Sequence, residues 1–146
     1  MKTFRVEFHC HTESSKDSLV KPEDLVRVCR EKGIDRVVIT DHNSITGALE
    51  AQKLDPELVI VGEEIKTTRG ELLCAYVQQE IPSGLAPTEA IERLKEQGAF
   101  ISVSHPFDAW RAPWYSDGLD EIRDQIDAIE IFNSRALRQD INQKAQ

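Results

Sequence analysis

Phe4-Arg5-Val6-Glu7-Phe8-His9-Cys10-His11 reads as a strand that ends in two histidines. Side chains two apart on a strand point the same way. Phe4, Val6, Phe8 and Cys10 therefore fall on one face, and Arg5, Glu7, His9 and His11 on the other. His9 and His11 aim at one point, and Cys10 aims away from it. Two imidazoles so placed can chelate a single metal ion. A strand with two incidental polar residues is the plainer alternative, and the rest of the chain weighs against it.

Outward from this strand the chain alternates strands and helices, with no repeat, low-complexity segment or linker. After the polar loop Thr12 to Lys21, Pro22 fits the first turn of a helix, with Leu25, Val26 and Cys29 on its apolar face and Gly33 at its end. Val37-Val38-Ile39 is a buried-strand run that leads into Asp41-His42-Asn43. Ser44 is placed to cap a helix running to about Leu54. Strands follow at Leu58 to Val61 and Glu71 to Val77. A helix from Pro87 to Gln97 has Ala90, Ile91 and Leu94 inward. A strand from Ala99 stops at His105-Pro106. Trp110 to Tyr115 forms an irregular aromatic loop, Leu119 to Ile126 a short helix, Ala128 to Phe132 a strand, and Arg135 opens a further helix. Such alternation predicts one domain over 1–146, built on a parallel sheet. Polar residues gathered at strand ends favour a barrel, whose chemistry lies at the C-terminal ends of its strands.

The 146 residues carry a net charge of −8. That disfavours a broad electrostatic grip on duplex nucleic acid. It leaves room for a cleft taking a nucleotide or a strand end, because bound metals invert local charge. Three cysteines without a C-x-x-C spacing suggest neither a disulfide framework nor a zinc knuckle. A reduced, cytoplasmic setting is the simplest expectation. No apolar run is long enough to span a membrane, and the start has no signal-peptide core.

All four histidines, His9, His11, His42 and His105, fall at strand ends. Glu64 follows another strand end, and Asp17 joins them if the first loop folds back. Histidines mixed with carboxylates suit zinc, manganese or iron. A nucleophilic triad finds no support, since G-x-S-x-G is absent.

As an ordered set, Phe8-His9-Cys10-His11-Thr12-Glu13, Thr40-Asp41-His42-Asn43, Gly62-Glu63-Glu64-Ile65, Ser104-His105-Pro106-Phe107 and Asp127-Ala128-Ile129-Glu130-Ile131-Phe132-Asn133 resemble the motifs of the PHP family, named for polymerases and histidinol phosphatase. The resemblance implies an α/β fold, a distorted (β/α)7 TIM-like barrel. It implies a phosphoesterase site with two or three divalent ions (Zn, Mn or Fe). It makes His9, His11, Asp17, His42, Glu64 and His105 the metal ligands, and gives Glu7 the task of orienting a ligand imidazole. Two departures stand out. Many members carry a histidine in the strand after the Glu64 motif, where this chain reads Glu71-Leu72-Leu73-Cys74 with no evident ligand. The late Asp-x-His motif is not reached by Gln146, so the barrel is expected to be incomplete at the C-terminus, through truncation or a naturally short chain.

The expected activity is hydrolysis of phosphate esters by a metal-activated hydroxide. The substrate is a small phosphomonoester, a nucleotide or the 5′ end of a short nucleic acid. His42 belongs to the catalytic set, and Asp41 or a metal-bound water assists proton transfer. Arg135 and, more weakly, Arg111 are placed to hold a phosphate or to be solvated. Trp110 and Trp114 are placed to stack a base or to pack their own loop. Glu130 is expected to support structure or a ligand. A non-catalytic, metal-stabilised PHP domain of a larger assembly, or a C–N bond hydrolase on a related metal barrel, are the alternatives.

Overall fold

The computed structural model describes residues 3–108, 114 and 116–133. The elements follow in order as β1 (Val6–Cys10), α1 (Pro22–Glu31), β2 (Arg36–Ile39), α2 (Thr46–Leu54), β3 (Val59–Lys66), β4 (Glu71–Ala75), α3 (Pro87–Glu96), β5 (Phe100–Val103), α4 (Ser116–Ile122) and β6 (Ala128–Ile129). Prolines open α1 and α3 where their missing N–H costs nothing. Past α1, Gly33 takes φ +66°, and its N–H bonds to the Arg30 carbonyl at 3.1 Å. The structure starts α2 two residues after Ser44, whose hydroxyl accepts the Thr46 N–H at 3.2 Å.

The six strands form one sheet in sequence order. It curls into a half-barrel: Phe8 of β1 meets Phe100 of β5 edge-on, with ring centroids 5.5 Å apart. Among the described residues β1 and β6 are not paired, so the sheet is open between them. The full (β/α)7 barrel implied by the resemblance, expected to be incomplete in this chain, is not seen among the described residues, which form six strands of an open sheet. The expected parallel sheet also needs correction. β1–β2–β3 and β5–β6 are parallel, but β4 is antiparallel to both neighbours. The physical reason at β3–β4 is connection length: a tight turn at Thr67–Gly70 permits only a hairpin, whereas a parallel step needs a crossover of about a dozen residues.

The outer face of the sheet packs against the helices. Leu58, Ile65, Leu72, Ile91, Leu94, Ile101 and Ile122 are fully buried there. Each such side chain contributes about 2 kcal/mol by leaving water. Among the described residues no helix is long and apolar enough to cross a membrane.

One irregularity in β1 decides which side chains reach the inner face. Glu7 pairs with Val37 and Cys10 with Ile39, so three steps on β1 match two on β2. The extra residue is a bulge, and it flips the parity of everything before it. Cys10 and Glu7 then share the outer face, while His9 and His11 point inward. The expectation for Cys10 agrees with this: it packs against the hydrophobic core. Glu7 is exposed and does not fill the imidazole-orienting place expected of it.

Candidate metal centre

The strand ends bring all four histidines to one carboxylate. Glu64, on β3 and fully buried, presents Oε2 to His9 Nε2 at 3.2 Å, His11 Nε2 at 3.2 Å and His42 Nδ1 at 3.3 Å. Its Oε1 lies 3.1 Å from His105 Nε2 and accepts the Ser104 hydroxyl at 2.6 Å. His42 comes within reach because its backbone bridges to Glu64 beyond the end of β2. Asp17 is carried in as the first loop folds back: its carboxylate lies 3.4 Å from His11 Nδ1 and 3.8 Å from His42 Nε2.

Among the described residues three overlapping groups could hold ions: His9, His11 and Glu64; His11, Asp17 and His42; Glu64, Glu71 and His105. Glu71 is the residue that sequence reasoning missed. It opens β4, is nearly buried, and lies 3.3 Å from His105 Nε2 and 4.0 Å from His42 Nδ1. The signal was available in the hairpin. Glu64 pairs with Leu73 and Lys66 with Glu71, which puts Glu71 on the face of Glu64.

Counting hydrogens fixes two tautomers. His9 Nδ1 donates to Glu130 Oε1 at 2.9 Å, and a carboxylate can only accept. Glu130 thus does the orienting expected of Glu7, and its Oε2 also accepts the His105 backbone N–H at 2.8 Å. Ser15 has one hydroxyl hydrogen, which it donates to Asp41 Oδ1 at 2.8 Å. Its oxygen accepts the His42 N–H at 2.9 Å and faces His11 Nδ1 at 3.2 Å, so that nitrogen carries a hydrogen. The Nε2 lone pairs of His9 and His11 are left facing each other at 3.0 Å. The Glu64 carboxylate faces both. This arrangement repels itself unless a cation or a proton sits within it.

A proton can take that place. Burial pushes the His9 imidazole down, but hydrogen bonds to Glu130 and Glu64, and their charges, outweigh it and lift it to about 10. Burial pushes Glu64 up, yet hydrogen bonds from His105, His11 and His9 hold it well below the ordinary carboxylate range. His42 is lowered, mainly by burial and further by the nearby imidazoles of His11 and His9. A divalent ion fits the same place. Separations of 3.0–3.2 Å among His9 Nε2, His11 Nε2 and Glu64 Oε2 match the edges of a coordination shell with bonds of about 2.1 Å, whose edges are roughly 3.0–3.4 Å. Backbone strain flanks the site, with positive φ at Asn43 (51°) and His105 (24°), and the buried His105 Nδ1 has no hydrogen-bond partner among the described residues.

The remaining expected site residues fall elsewhere. Asp41 is fully buried, and both its oxygens face the first loop: it accepts the Thr12 N–H at 2.6 Å, the Thr12 hydroxyl at 2.7 Å and the Ser15 hydroxyl. Gly47 at the start of α2 is required here, because a Cβ would collide with that carboxylate and with Thr12. Trp114 is buried, and its Nε1 donates to the Glu71 carbonyl at 3.1 Å, so it packs and does not stack. Arg135, Arg111 and Trp110 lie outside the described residues.

The described residues thus form an open α/β half-barrel that gathers four histidines and several carboxylates on its inner face. The chain belongs to the PHP domain family, whose pattern matches residues 7–71. An uncharacterised protein of Methanocaldococcus jannaschii is 37% identical over 144 residues, covering 89% of this chain and 82% of that protein. A second from the same organism is 37% identical over 145 residues, covering 97% of this chain and 57% of that protein. Among solved structures, a "putative metal-dependent phosphoesterase" from Bifidobacterium adolescentis superposes with a TM-score of 0.77 at 16% identity, covering 99% of this chain and 82% of that one. A two-domain protein from Bacteroides vulgatus, containing a "predicted PHP-like metal-dependent phosphoesterase", gives 0.72 at 21% identity over 89% of this chain and 44% of that one.

The thiol of Cys10 is pushed up to about 12, chiefly by burial, so it is protonated at neutral pH. Cys10→Ala is expected to leave metal content unchanged and to cost about 1 kcal/mol in packing. Elemental analysis beside a urea titration checks both. Loss of metal on the scale of His9→Ala would mean the face assignment of β1 is wrong.

Proposed function

We propose that this chain hydrolyses phosphate esters with the help of two or three divalent ions, zinc, manganese or iron. The single observation that carries the reading is the pair of Nε2 lone pairs on His9 and His11, 3.0 Å apart, both turned toward the Glu64 carboxylate. His9, His11 and Glu64 would hold one ion, and Glu64, Glu71 and His105 a second. Asp17 and His42 would offer donors for a third, without His11, whose unprotonated nitrogen is given to the first. Ions bound there would supply Lewis acidity, lowering the pKa of water and neutralising phosphate charge.

The chain's own residues do the positioning. Glu130 and Ser15 keep a hydrogen on the outward nitrogens of His9 and His11, leaving the inward lone pairs available. Glu64 offers one oxygen to each of the two principal groups. Asp41 holds the first loop, and with it Asp17, against the site. With both oxygens already accepting, Asp41 is a positioning residue here and not the proton carrier. A cleft of about 480 Å³ borders the centre and is lined by His9, His11, Asp17, Ser18, Glu130 and Asn133 among others. A phosphate entering beside these carboxylates would be repelled without the ions' charge. With the chain's net charge of −8, this favours a small phosphorylated molecule or a short strand end over long duplex DNA. Arg135 is retained as a phosphate-holding candidate.

Nucleoside monophosphates, bisphosphate nucleotides, histidinol phosphate and 5′-phosphorylated oligonucleotides, offered to metal-loaded protein, test the reading. Release of phosphate or mononucleotide is expected with Mn or Zn and not after chelation. His42→Ala should lower kcat by more than the ~10–100-fold typical of losing an outer hydrogen-bonding partner. Arg135→Ala should mainly raise KM. Metal binding without turnover of any member would point to the non-catalytic domain instead.

A further inference from the structure

We propose that Glu71 sets the metal preference of the inner group, so that it discriminates less in favour of zinc over manganese than the outer group does. The inference rests on the metal reading above and goes beyond it to the two positions separately. The outer group, His9, His11 and Glu64, offers two imidazoles and one carboxylate. The inner group, Glu64, Glu71 and His105, offers one imidazole and two carboxylates. Imidazole nitrogen suits zinc, and carboxylate oxygen suits manganese. Zinc remains the tighter ion at both, so what differs is the ratio.

Glu71 is built into place. Its carbonyl accepts both the Trp114 Nε1–H and the Ser104 N–H, each at 3.1 Å. The preceding turn is closed by the Thr67 hydroxyl on the Gly70 carbonyl at 2.7 Å. Gly70 has no room for a Cβ because the Trp114 ring fills that space. The Glu71 carboxylate is thereby aimed at His105 Nε2, 3.3 Å away, on which Glu64 Oε1 also converges at 3.1 Å. Two carboxylates meeting at one imidazole nitrogen, both nearly buried, form a harder and more negative pocket than the one formed by His9 and His11.

The test is a zinc titration of manganese-loaded protein, followed by the electron paramagnetic resonance signal of released aqueous Mn(II). Wild type should release manganese in two steps separated in zinc concentration, and anomalous diffraction at the two metal edges should assign the later step to the inner group. Glu71→His should move the later step to lower zinc, onto the first. Glu71→Gln, close in shape, should lose one bound manganese per chain while circular dichroism stays unchanged. Coincident release curves for wild type and Glu71→His, or earlier zinc entry at the inner group, would overturn the proposal and leave the metal reading standing. Failure of wild type to bind either ion would overturn both.

Discussion

Glu64→Gln is expected to empty both principal ion groups and to destabilise the fold together. The carboxylate contacts His9, His11, His42 and His105 and is fully buried. Glutamine keeps the shape but offers one acceptor oxygen where two are used, and it removes the charge that the imidazoles share. Both principal groups include Glu64, so elemental analysis should show the loss of those two ions. In metal-free protein the loss should be about 3 kcal/mol in a urea titration, the scale of breaking a buried charged pair. The pH dependence has a definite sign. Glu64 is held well below its ordinary range, so its contribution is present above the usual carboxylate value and fades as pH falls toward the depressed one. The wild-type advantage over Glu64→Gln should therefore shrink in acid. A variant that retains full metal content would remove Glu64 from the centre.

Asp41→Ala should have the second largest effect, although Asp41 touches none of the proposed ions. Its carboxylate receives hydrogen bonds from Thr12 N–H, the Thr12 hydroxyl and the Ser15 hydroxyl. Hydrogen bonds to a charged group contribute about 1.5–3 kcal/mol each, and neighbours in one network do not add. A loss of about 3–4 kcal/mol is expected. The first loop should loosen, carrying Asp17 away and freeing the His11 tautomer, so metal affinity should drop roughly 10–100-fold. Ser15→Ala should reproduce part of the affinity loss with a smaller stability cost. A stable Asp41→Ala protein with unchanged metal affinity would show that the loop is held by other means.

Much of this centre was legible in the chain. The H-x-H at the end of β1, and His42 and His105 just past β2 and β5, follow from strand position, whereas Glu64, expected past a strand end, lies within β3. The helices were marked by Pro22 and Pro87 at their starts and Gly33 past an end. What stayed hidden depends on pairing. The bulge that turns Glu7 outward has no local sign in Phe4 to His11, since it exists only against Arg36 to Ile39. Glu130, just past β6, had to be brought across to meet His9. Glu71 becomes visible only once Thr67–Gly70 is recognised as a hairpin turn, which makes β4 antiparallel to β3. Asp41 is expected from the sequence to assist proton transfer, yet its carboxylate faces Thr12 and Ser15; a sequence cannot tell a carboxylate facing an ion from one facing a loop.

As a multi-ion centre, the cluster should hold a proton whenever metal is absent. Burial opposes the His9 proton, but Glu130 and Glu64 hold it up to about 10. In metal-free protein this contributes stability that is fully present below the ordinary histidine value, about 6.5, and is lost as pH rises through about 10. An ion entering between His9 and His11 must displace that proton. Calorimetric titration of metal-free protein with Zn(II) or Mn(II) near neutral pH, repeated in buffers of different protonation enthalpy, reads ions bound and protons released at once. The predicted result is more than one ion per chain, with proton release on binding and affinity that strengthens as pH is raised. No binding, or binding with neither proton release nor pH dependence, would contradict it.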